Sequence, residues 1–178
     1  MKKHLFTLFA ILSLSIACTP NSDRIDPAIQ SNVPGDVSGK WMWGTFSMSN
    51  FWGYDGSYQG KPYEQAFVLD FKPNGEFEEY VINSTTSYSC RTEAFSYFKG
   101  KVKFNEAEQS FTLTPSSGNY RGFYSCYPNS NFKRDARPSE LKSSTFYYET
   151  VTVQGQKQLV LRDGPNDTQA MSLKSANW

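Results

Sequence analysis

From Gly39 onward the chain alternates apolar and polar side chains and is broken at short intervals by turn residues. At Phe98, Gly100, Val102 and Phe104 the alternation is against Lys99, Lys101 and Lys103, which turns one face of a strand to a core and the other to water. Phe111 and Leu113 alternate with Ser110, Thr112 and Thr114 in the same sense. Helical periodicity is absent, so the pattern predicts an all-β, antiparallel domain. Strands are expected at Lys40 to Met48, Tyr63 to Lys72, Glu76 to Tyr88, Phe95 to Phe104, Gln109 to Thr114, Asn119 to Cys126, Ser143 to Val153, Lys157 to Arg162 and Gln169 to Lys174. The links Pro73-Asn74-Gly75, Asn105-Glu106-Ala107 and Gln154-Gly155 read as tight hairpins, which favours an up-and-down order. Strands of this number and length close into a barrel or stack as a two-sheet sandwich, and periodicity alone does not choose.

Ahead of this body lies a different kind of sequence. Lys2 and Lys3 precede an apolar run from Leu5 to Ala17, the charge order and length of a secretory leader and too short to span a bilayer. Ser15-Ile16-Ala17-Cys18 resembles the lipobox of bacterial lipoproteins, with Ser15 where that motif usually has Leu. The resemblance implies removal of residues 1–17, acylation of Cys18 and attachment to a lipid bilayer. Thr19 lacks the aspartate that favours inner-membrane retention, so the expected location is the outer membrane, on its periplasmic or cell-surface face. Residues 18–38 are polar, with Pro20, Pro27, Pro34 and Gly35, and read as a tether; residues 39–178 form the expected domain.

Acylation of Cys18 leaves Cys90 and Cys126, an even remainder that in an exported protein reads as a disulfide. Their separation of 36 residues argues against a redox-active dithiol, whose cysteines sit close together.

Charge and histidine content exclude several function classes. The sequence has 18 Lys and Arg against 17 Asp and Glu, and removing the leader takes away Lys2, Lys3 and the one histidine, His4. A chain so nearly neutral has no electrostatic attraction for nucleic acid. Without histidine there is no Ser-His-Asp or Cys-His nucleophile system, no H-E-x-x-H zinc site and no imidazole base. Glu76, Glu78 and Glu79 lie close together, but two of them share a strand face beside a hairpin and read as exposed charges rather than a glycosidase pair. Asp163-Gly164-Pro165-Asn166-Asp167 reads as a turn rather than a calcium loop. No cofactor or metal is implied, and the expectation is a protein that binds rather than catalyses.

Gly39-Lys40-Trp41, a G-x-W at the start of the first strand, resembles the signature of lipocalins and of lipocalin-like bacterial lipoproteins. Arg162 at the end of a late strand adds to it, because lipocalins set an arginine across that tryptophan to close the barrel base. The resemblance covers Gly39 to about Leu173 and implies an antiparallel up-and-down β-barrel of 8–10 strands. It further implies a cup that holds one small apolar or amphiphilic molecule, with Gly39, Trp41 and Arg162 closing its base. Trp43, on the same face as Trp41, is expected to look into the cup, with Tyr63 and Tyr148 in further apolar rows. The aromatic loop Asn50 to Gly60 offers Trp52, Tyr54 and Tyr58 beside amide and carboxylate groups, which favours stacking on a carbohydrate or anchoring a protein. That is the alternative function: a surface module of inhibitor type working through its mouth loops.

Overall fold

The structure, a computed structural model, describes residues 33–45 and 65–177. Nine strands follow in order: Gly39–Gly44 (β1), Gln65–Phe71 (β2), Glu76–Ser87 (β3), Cys90–Asn105 (β4), Ser110–Tyr124 (β5), Phe132–Asp135 (β6), Ser144–Val153 (β7), Gln156–Arg162 (β8) and Met171–Ser175 (β9). Every pairing is antiparallel. Each of β1 to β5 pairs with the next, the near half of β5 pairs with β7, and β8 and β9 lead back to β1, so the sheet closes in a barrel-like ring. The short β6 stands beside this ring, on the far half of β5.

The count of nine agrees with the sequence reading, but two elements differ. Gln109 to Thr114 and Asn119 to Cys126, expected as separate strands, are one strand, β5, which runs through Pro115 and Gly118. Between them lies a bulge: Lys99 faces Ser117 and Gly100 faces Pro115, leaving Ser116 as the extra residue, its hydroxyl donating to the Lys99 carbonyl. A Cβ on Gly100 would lie 2.0 Å from the Thr114 carbonyl oxygen, so only glycine lets the two backbones approach there. The count is made up by β6, which lies between the expected strands Asn119 to Cys126 and Ser143 to Val153.

The hairpins at Pro73–Gly75 and Gln154–Gly155 form as expected, with Gly75 and Gly155 at positive φ. A second two-residue turn beside Gln154–Gly155, Tyr88–Ser89 between β3 and β4, has both residues at positive φ without glycine or asparagine to signal it. Just beyond it Cys90 is bonded to Cys126, with Cα atoms 5.4 Å apart, tying the start of β4 to the end of β5. The Ser125 amide donates to the Arg91 carbonyl and the Arg91 amide donates to the Ser125 hydroxyl beside it.

One face of the ring encloses the main core. Trp41, Leu69, Phe71, Phe77, Val102, Phe104, Phe111, Leu113, Leu159, Leu161 and Leu173 are buried there. Val33 and Val37 join them, so the last residues of the expected tether are not a spacer: the turn at Pro34–Val37 seats two valines under the ring. The Trp41 indole donates to the Val37 carbonyl at 2.6 Å, and the Thr150 hydroxyl donates to Asp36, tying this segment to β1 and β7. Gly39 has a φ of 109°, a conformation open to glycine, which lets the chain turn from this floor into β1. On the opposite face of β2 to β4, Ala66, Val68, Ile82 and Phe95 are buried in a second cluster.

Candidate functional site

The two ends of the ring differ. The floor end carries the Pro34–Val37 segment and is filled by rings. Phe111 sits at their centre, with centroids 5.1 Å from Phe71, 5.3 Å from Phe104, 5.6 Å from Phe146 and 5.8 Å from Tyr148. These separations are those of packed aromatic pairs, and they leave no bore through the floor. Tyr148, expected as a lining residue of the cup, is part of this packing, in contact with Phe104 as well; burial raises its pKa and keeps the phenol neutral.

Toward the other end the packing opens. A cavity of about 280 Å³ is walled by Phe67, Phe146, Leu161, Ala170 and Met171 and edged by Arg162, Asp163, Asp167 and Gln169. Phe67 and Phe146 come from opposite sides of the ring, with centroids 6.4 Å apart, and both line the cavity. An engineered apolar cavity of about 150 Å³ accepts benzene, so this one is large enough for a short-chain amphiphile. Trp43 is opposite Phe67 in the β1–β2 ladder and shares the interior face with Trp41, yet it is 39% exposed. It is expected to look into the cup but is not among the residues that line this cavity.

Arg162 does not close the base. It pairs with Tyr147 across the β7–β8 ladder, on the face opposite Leu161, and its guanidinium bonds the carboxylate of Glu149. Trp41 is level with Ser175, whereas Leu161 is level with Met171; four residues of β9, about 13 Å, separate the two levels. Trp41 is instead fixed by Val37, and Arg162 edges the mouth cavity. Of the other expected binding residues, Trp52, Tyr54, Tyr58 and Tyr63 lie outside the described residues, as does Cys18.

One interior residue escaped the sequence reading. Glu79 faces Leu69 on β2 and Phe98 on β4, on the face that carries Phe77 and Val81 and so turns inward. It is partly buried, has no hydrogen bond or ion pair among the described residues, and burial pushes its carboxyl up to about 7. The signal was present: Phe77, Glu79 and Val81 are two residues apart, and strand parity puts all three on one face. Glu78, on the other face, accepts a hydrogen bond from the Tyr80 hydroxyl.

Among the described residues no group of three His, Cys, Asp or Glu side chains is placed to hold a metal ion, and no helix is long and apolar enough to cross a membrane. No family model, curated protein or solved structure matches the chain.

Proposed function

We propose that the protein is a membrane-anchored, exported binding protein of lipocalin-like type, without catalytic activity, that holds a small apolar or amphiphilic molecule in the mouth of its ring. The observation that carries this reading is the cavity of about 280 Å³ with an apolar wall and a polar edge, set above a floor that side chains already fill. Such a combination suits a ligand with a short hydrocarbon body and one polar end. The cup is shallow: Phe111 and its neighbours exclude anything long from the lower half of the ring. The leader and Cys18 support the anchor, and a ligand drawn from a membrane or from the envelope space fits an outer-membrane location.

Native mass spectrometry of the full chain purified from its own membrane tests the reading. A retained small molecule, released when Phe67 or Leu161 is changed to Trp to fill the cavity, is the expected result. A clean protein mass, together with binding to a glycan array, overturns it in favour of the carbohydrate-binding or protein-binding surface module.

A further inference from the structure

The acids embedded in the wall made by β2, β3 and β4 are treated unequally. Asp70, buried, is bonded to Lys72, and Glu93, buried, to Arg91. Glu79 alone of the three faces inward, and among the described residues it has neither a basic partner nor a hydrogen-bond donor. Among the described residues its surroundings offer none. On the inner face β2 presents Phe67, Leu69 and Phe71, β4 presents Ser96, Phe98 and Gly100, and β3 itself presents Phe77 and Val81; none of these titrates or carries charge. Elsewhere on this face Tyr120 packs against the Phe98 ring with Arg134 over it, Arg134 is held by both carboxylate oxygens of Glu140, and Tyr148 stays neutral. A carboxyl in such a setting costs folding free energy in either protonation state and does nothing for the packing of Leu69 or Phe98. Uncompensated groups of this kind cluster where a ligand completes them.

The position suits a ligand that enters from the mouth. Phe67 of the cavity wall is paired with Val81, and Glu79 lies two residues along β3 from Val81, about 7 Å deeper on the same face. The cavity edge has the same sign: Asp163 and Asp167 line it, while Arg162 is occupied by Glu149. We infer that the ligand is a cationic amphiphile, a primary or secondary amine on a short apolar body, and that Glu79 is the counter-ion for its ammonium group. This rests on the mouth cavity being the binding site and names the class of molecule it selects. The complex replaces a solitary carboxyl with a desolvated ion pair and places the hydrocarbon against Phe67, Phe146 and Leu161.

The test uses the full chain, octylamine and 1-octanol, with affinities measured by calorimetry from about pH 5 to about pH 8. The amine remains protonated throughout, as an ordinary alkylamine does. Because only ionised Glu79 pairs with it, octylamine affinity is expected to rise about ninety-fold across this range for a midpoint of about 7, with octanol affinity nearly constant. Glu79→Gln is expected to abolish the rise and to retain octanol binding, which also shows that the variant is folded. A flat octylamine profile in a protein that binds octanol overturns the assignment while the cavity reading stands. A steep profile that survives Glu79→Gln and disappears in Asp163→Asn or Asp167→Asn overturns it in favour of the rim. Failure of both ligands to bind overturns the cavity reading and this inference with it.

Discussion

Phe111→Ala probes the packed floor that makes the cup shallow. The ring is fully buried and lies within 5.1 to 5.8 Å of four other rings. Truncating a buried phenylalanine to alanine costs about 3–5 kcal/mol from lost transfer free energy and the cavity left behind. Each aromatic pair adds about 0.5–1.5 kcal/mol beyond area burial, so four pairs place this site in the upper part of that range, about 4 kcal/mol. With a guanidinium slope of about 4 kcal/mol per molar for a domain of this size, the unfolding midpoint should fall by about 1 M. Equilibrium guanidinium unfolding, followed by tryptophan fluorescence, measures it. The variant should also gain a site for benzene beneath Phe146, seen as a rise in Tm with benzene that the parent protein does not show. A loss under about 2 kcal/mol without any response to benzene would mean that the rings are not close-packed, and the argument for a filled floor would fail.

Three further outcomes follow from the same structure. Glu79 has a folded pKa raised from 4.5 to about 7, so the folded state binds more protons between those values. Stability should therefore fall as pH rises through about 4.5 to 7 and level off above, by about 3 kcal/mol in all, a slope that Glu79→Gln should remove from thermal melts taken across this range; a slope unchanged in the variant would contradict it. Gly100→Ala should destabilise by about 2–3 kcal/mol in urea unfolding, because its Cβ meets backbone atoms of Thr114, Pro115 and Ser116 that no side-chain rotation can move away; a neutral effect would refute the bulge geometry. Replacing Cys90 and Cys126 with serine opens a loop of 36 residues and should cost about 4 kcal/mol on the chain-entropy account, read as a drop in unfolding free energy under non-reducing conditions, whereas a loss below about 1 kcal/mol would show that the link does not constrain the unfolded chain.

Much of the fold was legible because strand parity is a local property. Phe98, Val102 and Phe104 face inward and Lys99 and Lys103 outward, as their alternation requires, and Gly75 and Gly155 supply the positive φ values of their hairpins. What failed involved pairs distant in sequence. Pro115 and Gly118 carry the local signal of a turn, and only the partner strand, with Gly100 opposite, turns that signal into a bulge. Arg162 ends a late strand as expected, but its parity and level are set by the β7–β8 and β8–β9 registers, which direct it to Glu149 instead of Trp41. The sequence reading sets two of Glu76, Glu78 and Glu79 on one exposed strand face, and the parity that leaves Glu79 on the other face gives it no role until the core is seen to lie there.

The amino-acid order by itself determined that this chain builds antiparallel strands, where most of them turn and which side chains share a face. Those properties depend on neighbours one to four residues away. Tertiary structure decided that the sheet closes in a ring, that Val33 and Val37 and a cluster of rings fill its floor, and that a cavity opens toward the other end, with an inward-facing carboxyl that has no partner among the described residues. Closure and cavity volume depend on register between strands as far apart in sequence as β1 and β9, and on how side chains from opposite walls meet, which no local pattern encodes.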